Sequence, residues 1–147
     1  MEMLNVQRNE IVCQEGSSGD RMYIIRSGKA EVFKRIENED VSLTILSQGD
    51  FFGEISLLLG IPRTASIRAL EDVQIESLDK KEFFDKMRTD HEFMASLLVS
   101  QAQRLVESHK IISRFKGEKD SYQIMYGART KAFFYAVAAE AKEQKPD

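Results

Sequence analysis

The stretch Phe52-Gly53-Glu54-Ile55-Ser56-Leu57-Leu58-Leu59-Gly60-Ile61-Pro62-Arg63-Thr64-Ala65-Ser66 interrupts the rhythm of the sequence on either side of it. Gly53 allows a tight backbone approach, and Glu54 to Leu59 suffice for one or two helical turns. Gly60 and Pro62 end that helix, and Arg63 stands just before the next apolar run. A short helix with free N-terminal amides is a ready anion site. An arginine beside it completes the cradle, because its planar fork matches phosphate oxygens in pairs. A carboxylate in the same place would repel a phosphate. Glu54 therefore makes sense as a partner of Arg63 or as an acceptor for the hydroxyls of a neighbouring sugar. A ligand carrying both a phosphate and a free hydroxyl uses both charges, which describes a nucleotide.

Upstream and downstream of this stretch, from Glu10 to about Leu78, apolar residues fall in short runs broken by turn residues. Ile11 to Cys13 is closed by Gly16-Ser17-Ser18-Gly19-Asp20, and Met22 to Ile25 by Ser27-Gly28. Ala30 to Phe33 ends at Glu37-Asn38-Glu39-Asp40, and Val41 to Leu46 at Gln48-Gly49-Asp50. Val41, Leu43 and Ile45 alternate with Ser42 and Thr44, the period of a half-buried strand. Ala65 to Ala69 and Val73 to Leu78 read alike. Short strands with glycine punctuation predict an antiparallel roll or sandwich.

After Leu78 the period changes. Asp79 with Glu82 forms a capping pair ahead of Phe83, Phe84 and Met87 at helical spacing. Glycine and proline are absent from Leu70 through Lys116, and about Asp90 to Phe115 reads as one long helix. Leu98, Leu105 and Ile112 recur every seven residues, with Met94, Ala102 and His109 roughly between, close to a heptad seam. Such a seam serves either packing on its own domain or dimerisation. Gly117 to Ser121 is a polar break, and a last helix is expected from Ala128 to about Lys142.

At 147 residues, with 42% hydrophobic and 31% charged side chains, the chain has the length for one ordinary packed domain and a helical extension. A net charge of -3 argues against a free-standing nucleic-acid binder held by a basic face. No apolar run approaches the roughly 18 residues of a membrane span, and Met1 to Asn5 lacks the layout of a signal peptide. A cytoplasmic compartment is the expectation. The single Cys13 excludes an internal disulfide or a cysteine-built metal cluster, and reads as a small buried hydrophobe. His91 and His109 lie 18 residues apart in the helical part, so no metal site and no nucleophile–base pair stand out, and no catalytic residue is assigned. Asp20 reads as a turn cap.

The quoted stretch resembles the phosphate-binding cassette of cyclic-nucleotide-binding domains, with its Gly-Glu, apolar run and Pro-Arg followed by small residues. Glu15 to Val32 resembles the family's early hairpin, Gly49 to Glu54 its approach to the cassette, and the likeness covers roughly Glu10 to Phe115. The nine-residue offset from Glu54 to Arg63 resembles the kinase-regulatory-subunit and channel branches, while the bacterial catabolite activator has one residue more. The resemblance implies a mainly β architecture. It is an eight-stranded antiparallel β-roll, a jelly-roll-like double-stranded β-helix, followed by a long helix. The expected division is a roll over 1–89 with its cassette at 52–66, a dimerisation or lid helix over 90–116, and an extension over 117–147.

By the same resemblance Arg63 clamps the cyclic phosphate and Glu54 accepts from the ribose 2'-hydroxyl. The amides of Ile55, Ser56 and Thr64 donate to ligand oxygens, Gly53 gives close approach, and Ala65 is one of the small residues after the arginine. Ser108 and His109 fall near the positions that contact the base. The Thr64 hydroxyl bears on the choice of base, with cyclic AMP the expected ligand and cyclic GMP the alternative. The resemblance implies a regulatory module rather than an enzyme, with a homodimer through Leu98, Leu105 and Ile112. Two departures stand out. The family's N-terminal helix is missing or replaced by Met1 to Arg8. Ala128 to Lys142 resembles the helix that leads into a winged helix-turn-helix in catabolite-activator relatives, yet only 32 residues follow Phe115. The expectation is a stand-alone sensor, or alternatively the sensor half of a transcription regulator, or a scaffold domain that has lost its ligand.

Overall fold

Alternating apolar residues and glycine-rich turns build two antiparallel sheets. The computed structural model describes the backbone of residues 1–115 and the side chains of 1–110. Eight strands come first: β1 (Glu2–Val6), β2 (Ile11–Cys13), β3 (Arg21–Ser27), β4 (Ala30–Ile36), β5 (Glu39–Leu46), β6 (Phe51–Phe52), β7 (Ser66–Ala69) and β8 (Val73–Asp79). A short helix α1 (Glu54–Leu59) sits between β6 and β7, and α2 (Lys80–Thr89) and α3 (His91–Phe115) follow β8. One sheet has the order β1-β8-β3-β6 and the other β2-β7-β4-β5. The mainly β roll with C-terminal helices is thus the architecture expected. The extension over 117–147, including the helix expected from Ala128, lies outside the described residues.

Inward-facing residues of both sheets meet in one core of Cys13, Ile25, Ala30, Leu46, Phe52, Ile67, Ala69, Val73 and Ile75. Ile25, Ala30, Ala69 and Ile75 are wholly buried. Removing that apolar surface from water is the main drive for closing the two sheets. Met1 to Arg8, the segment that stands where the family's N-terminal helix was expected, contributes β1 to the roll. It pairs antiparallel with β8 from Glu2↔Ser77 to Val6↔Val73, and Leu4 and Val6 pack on the core.

The strand read at 41–46 is present, but its burial differs from expectation. Val41, Leu43 and Ile45 are exposed, and Leu46 alone enters the core. Two physical reasons act together. β5 is the edge of its sheet, and its register with β4 shifts between Val32 and Phe33, so Leu43 has no partner opposite. A bulge of this kind breaks the two-residue period and bends an edge away from further pairing.

The chain divides into two compact units, residues 1–85 and the part that begins at Lys86. The Asp79–Glu82 capping box forms as read. Asp79 N–H donates to Glu82 Oε2 at 2.9 Å, and Glu82 N–H to Asp79 Oδ1 at 2.8 Å. α3 is capped by Asp90, whose Oδ1 accepts the Phe93 N–H at 2.9 Å. That bond, ahead of the nearby Lys86 charge, holds the Asp90 carboxyl below its ordinary pKa. On α3, Phe93 and Leu97 are buried one turn apart, while Leu98 and Leu105 are exposed seven residues apart. The Ile112 side chain lies outside the described residues.

On the outward face of the β4–β7 pair, Arg68 donates to Glu31 Oε2 at 2.9 Å and Asp40 Oδ2 at 3.2 Å, over the Phe33 ring at 4.3 Å. The Arg68 hydrogen bond, helped by Ser42, holds the Glu31 carboxyl below its ordinary value of 4.5. A lowered folded-state pKa adds stability that is full above the unfolded value and is lost as pH falls through the folded one. Glu31→Gln is therefore expected to cost about 0.5 kcal/mol at neutral pH. In urea melts the gap between the two proteins should close on acidification below the ordinary value of 4.5, and a gap constant down to acid pH would contradict this.

Candidate functional site

The chain leaves β6 at Phe52 and turns through Gly53 at φ 83°, ψ -5°, a left-handed conformation that costs other L-residues strain. Gly53 is the N-cap of α1, and Gly60 at φ 65° closes it, its N–H donating to the Ser56 carbonyl at 2.9 Å. Glu54 and Ser56 are buried at 1% and 3% exposure, while Leu58, Leu59 and Ile61 are exposed. The Ser56 hydroxyl donates to the Pro62 carbonyl at 3.4 Å across the turn.

Arg63 is held by its backbone first. Its N–H donates to the Ser17 carbonyl, and its own carbonyl accepts the Gly16 N–H, each at 2.8 Å. These two bonds clip the cassette to the turn between β2 and β3. Its guanidinium, in a residue only 7% exposed, then reaches two more backbone oxygens. Nη1 donates to Gly53 O at 2.9 Å, and Nη2 to Arg21 O at 2.8 Å. Gly53 O also accepts the Leu57 N–H at 3.3 Å, so one carbonyl serves both the first helical turn and the arginine. A buried cation needs such acceptors to offset lost hydration.

Two glycines make the approach possible. A Cβ on Gly19 would lie 2.1 Å from Arg63 Nε, and one on Gly53 would lie 2.5 Å from Nη1 and 2.9 Å from Arg21 O. The Tyr23 ring lies 5.6 Å from Arg63 Cζ and stacks on Phe52 at 4.9 Å. The buried Cys13 is close enough to feel the cation. Burial pushes its thiol pKa up, and Arg63 pulls the other way. Burial, with Cys13, likewise raises the Tyr23 phenol, against Arg63 and Arg21.

Gly53, Glu54, Ile55, Ser56, Arg63, Thr64 and Ala65 therefore share one turn-helix-turn, with Thr64 exposed and Ile55 and Ala65 half-buried. Ser108 stands on α3 in the other unit, exposed, with its hydroxyl turned back on its own helix to the Arg104 carbonyl at 2.9 Å. His109 is exposed on the same helix. Sequence reasoning missed Gly19, the Arg21 carbonyl and Tyr23. The paired glycines of Gly16-Ser17-Ser18-Gly19 were a visible signal of a close approach, whereas a carbonyl acceptor leaves no trace in residue identity.

The profile of the family described as "Cyclic nucleotide-binding domain" matches residues 3–90, a span that includes the whole cassette. The chain belongs to the cyclic nucleotide-binding domain family. A cAMP-dependent protein kinase regulatory subunit of Yarrowia lipolytica is 40% identical over 78 residues, covering 53% of this chain and 20% of that protein. A CRP-like cAMP-activated global transcriptional regulator of Mycobacterium tuberculosis is 33% identical over 106 residues, covering 71% of this chain and 47% of that protein. The match thus spans about a fifth of the one relative and about half of the other. The Thermus thermophilus catabolite activator protein superposes with a TM-score of 0.70 at 25% identity, covering 78% of this chain and 55% of that one.

The positive φ at Gly53 and the crowding by Arg63 are separable. Gly16 shares the left-handed backbone, at φ 80°, but has open space where a Cβ would go. Gly16→Ala is expected to cost about 1–2 kcal/mol of unfolding free energy from backbone strain alone. Gly53→Ala should cost more, because the added methyl also displaces the Arg63 guanidinium. Equal losses in urea titrations of the two variants would contradict the packing described.

Proposed function

We propose that this chain is a regulatory cyclic-nucleotide sensor, with cyclic AMP as its ligand, and that it carries out no catalysis. The observation that carries the reading is the buried, pre-oriented guanidinium of Arg63 at the mouth of a glycine-capped helix, inside the span matched by the family. Arg63 would take the cyclic phosphate, and Glu54 would accept from the ribose 2'-hydroxyl. The Ile55, Ser56 and Thr64 amides would donate to ligand oxygens, with Gly53 and Ala65 leaving room. Both sequence relatives are named for cAMP, which favours it over cyclic GMP. Ser108 on the long helix would approach the base. The roll over 1–89 would bind, and the helix over 90–116 would pass the bound state to a partner or to the segment over 117–147. The compartment in this reading is the cytoplasm. No helix of the described residues is long and apolar enough to cross a membrane.

A second reading, the sensing portion of a CRP-like regulator, draws support from the 71% of this chain that aligns with such a regulator. In it, DNA contact belongs to residues outside the cassette and the roll.

Calorimetric titration with cyclic AMP and cyclic GMP tests the site. Binding is expected for the unmodified protein, and Arg63→Ala should weaken it by about 1.5–3 kcal/mol, the size of a charge-assisted phosphate contact. No heat with either nucleotide would leave only a scaffold domain. Equal affinity in the variant would remove Arg63 from the site.

The exposed Leu98 and Leu105 support a homodimer through α3, with Ile112 continuing the heptad. Sedimentation should report a dimer at tens of micromolar and a monomer for Leu98→Glu/Leu105→Glu. A monomeric parent protein would contradict it.

A further inference from the structure

The guanidinium of Arg63 is hydrogen-bonded at both of its Nη atoms, to Gly53 O and to Arg21 O. Two acceptors at one end of a planar group fix that edge, but leave the plane free to rock about the line through them. A third contact is needed to define the plane. Gly19 only makes room, since its missing Cβ is what lets Nε and Cζ come so near. An aromatic face supplies such a contact. Tyr23 places its ring 5.6 Å from Arg63 Cζ, inside the roughly 6 Å reach of a cation–π contact.

The ring is itself held from behind. Tyr23 and Phe52 are register partners across β3 and β6, and their rings stack at 4.9 Å with planes 20° apart. Phe52 directly precedes Gly53, whose carbonyl takes Nη1. One sheet edge therefore sets both the ring under the guanidinium and the carbonyl at its end. Low exposure strengthens the contact, because a cation–π pair gains most where water is excluded.

We propose that Tyr23 is a positioning residue: its ring face fixes the plane of the Arg63 guanidinium in the orientation that receives the cyclic phosphate. The proposal rests on the reading of Arg63 as the phosphate contact. A side chain held in its working geometry before the ligand arrives spares the ordering cost at binding. Loss of the ring's electron-rich face should thus appear as weaker nucleotide binding even where the fold is intact.

The test replaces Tyr23 with phenylalanine and then with 4-fluoro-, 3,5-difluoro- and 3,4,5-trifluorophenylalanine, which keep the ring's shape while draining its face of electron density. The whole 147-residue chain is titrated calorimetrically with cyclic AMP, and thermal unfolding is followed in parallel. Tyr23→Phe is expected to bind within about threefold of the parent, and affinity should fall stepwise with fluorination, by roughly three- to thirty-fold in all. Unfolding temperatures should stay level across the ring series. A packing role alone would not follow the electron density. Affinity that is flat across the series, or abolished already by Tyr23→Phe, would overturn the proposal while leaving the cyclic-nucleotide reading intact. A parent protein that binds no cyclic nucleotide would overturn that reading and the proposal with it.

Discussion

Arg63 carries a full positive charge at 7% exposure, and the hydration it loses there has to be replaced by acceptors that cannot drift away. The roll supplies them from its backbone. Carbonyls of Gly53 and Arg21 take the Nη atoms, and the Gly16–Ser17 turn takes the main chain on either side. Each acceptor comes from a different part of the sequence: the end of β6, the start of β3, and the turn before it. The cation can be buried only when those parts are already in register, so the sheets, the glycine turns and the short helix are all conditions for one side chain.

Glycine usage follows from the same constraint. Gly53 is needed twice over, for a left-handed backbone and for the space its side chain would take from Nη1 and from Arg21 O. Gly19 is needed for space alone, its φ being ordinary while Arg63 Nε occupies the place of a Cβ. Gly16, in contrast, has room for a side chain and is used only for its φ.

Much of this was legible in the residues. The Gly-Glu, apolar run, Gly and Pro-Arg order of 53–63 announced a turn, a short helix and an arginine beside it, and the structure places these three together. The capping pair Asp79–Glu82 and the change from a period of two to a helical one were equally plain. What escaped had physical causes. Leu4 and Val6 gave too short an alternation to mark β1, which becomes a strand because β8 offers it an edge. The burial of β5 was misread because a bulge opposite the Val32–Phe33 step breaks the period that the reading relied on. Tyr23 falls unmarked inside the apolar run Met22 to Ile25, and it is paired with Phe52, a partner 29 residues away in the sequence.

A cyclic nucleotide that binds this chain should land on the buried guanidinium of Arg63. Its Nε–H and Nη–H protons are the most direct witnesses, and nitrogen-15 spectra of arginine side chains, assigned with Arg63→Lys, observe them during a titration with cyclic AMP. The Arg63 signals should shift in proportion to ligand occupancy, ahead of those of the exposed Arg35. Saturation of the protein with cyclic AMP while the Arg63 signals stay in place would contradict it.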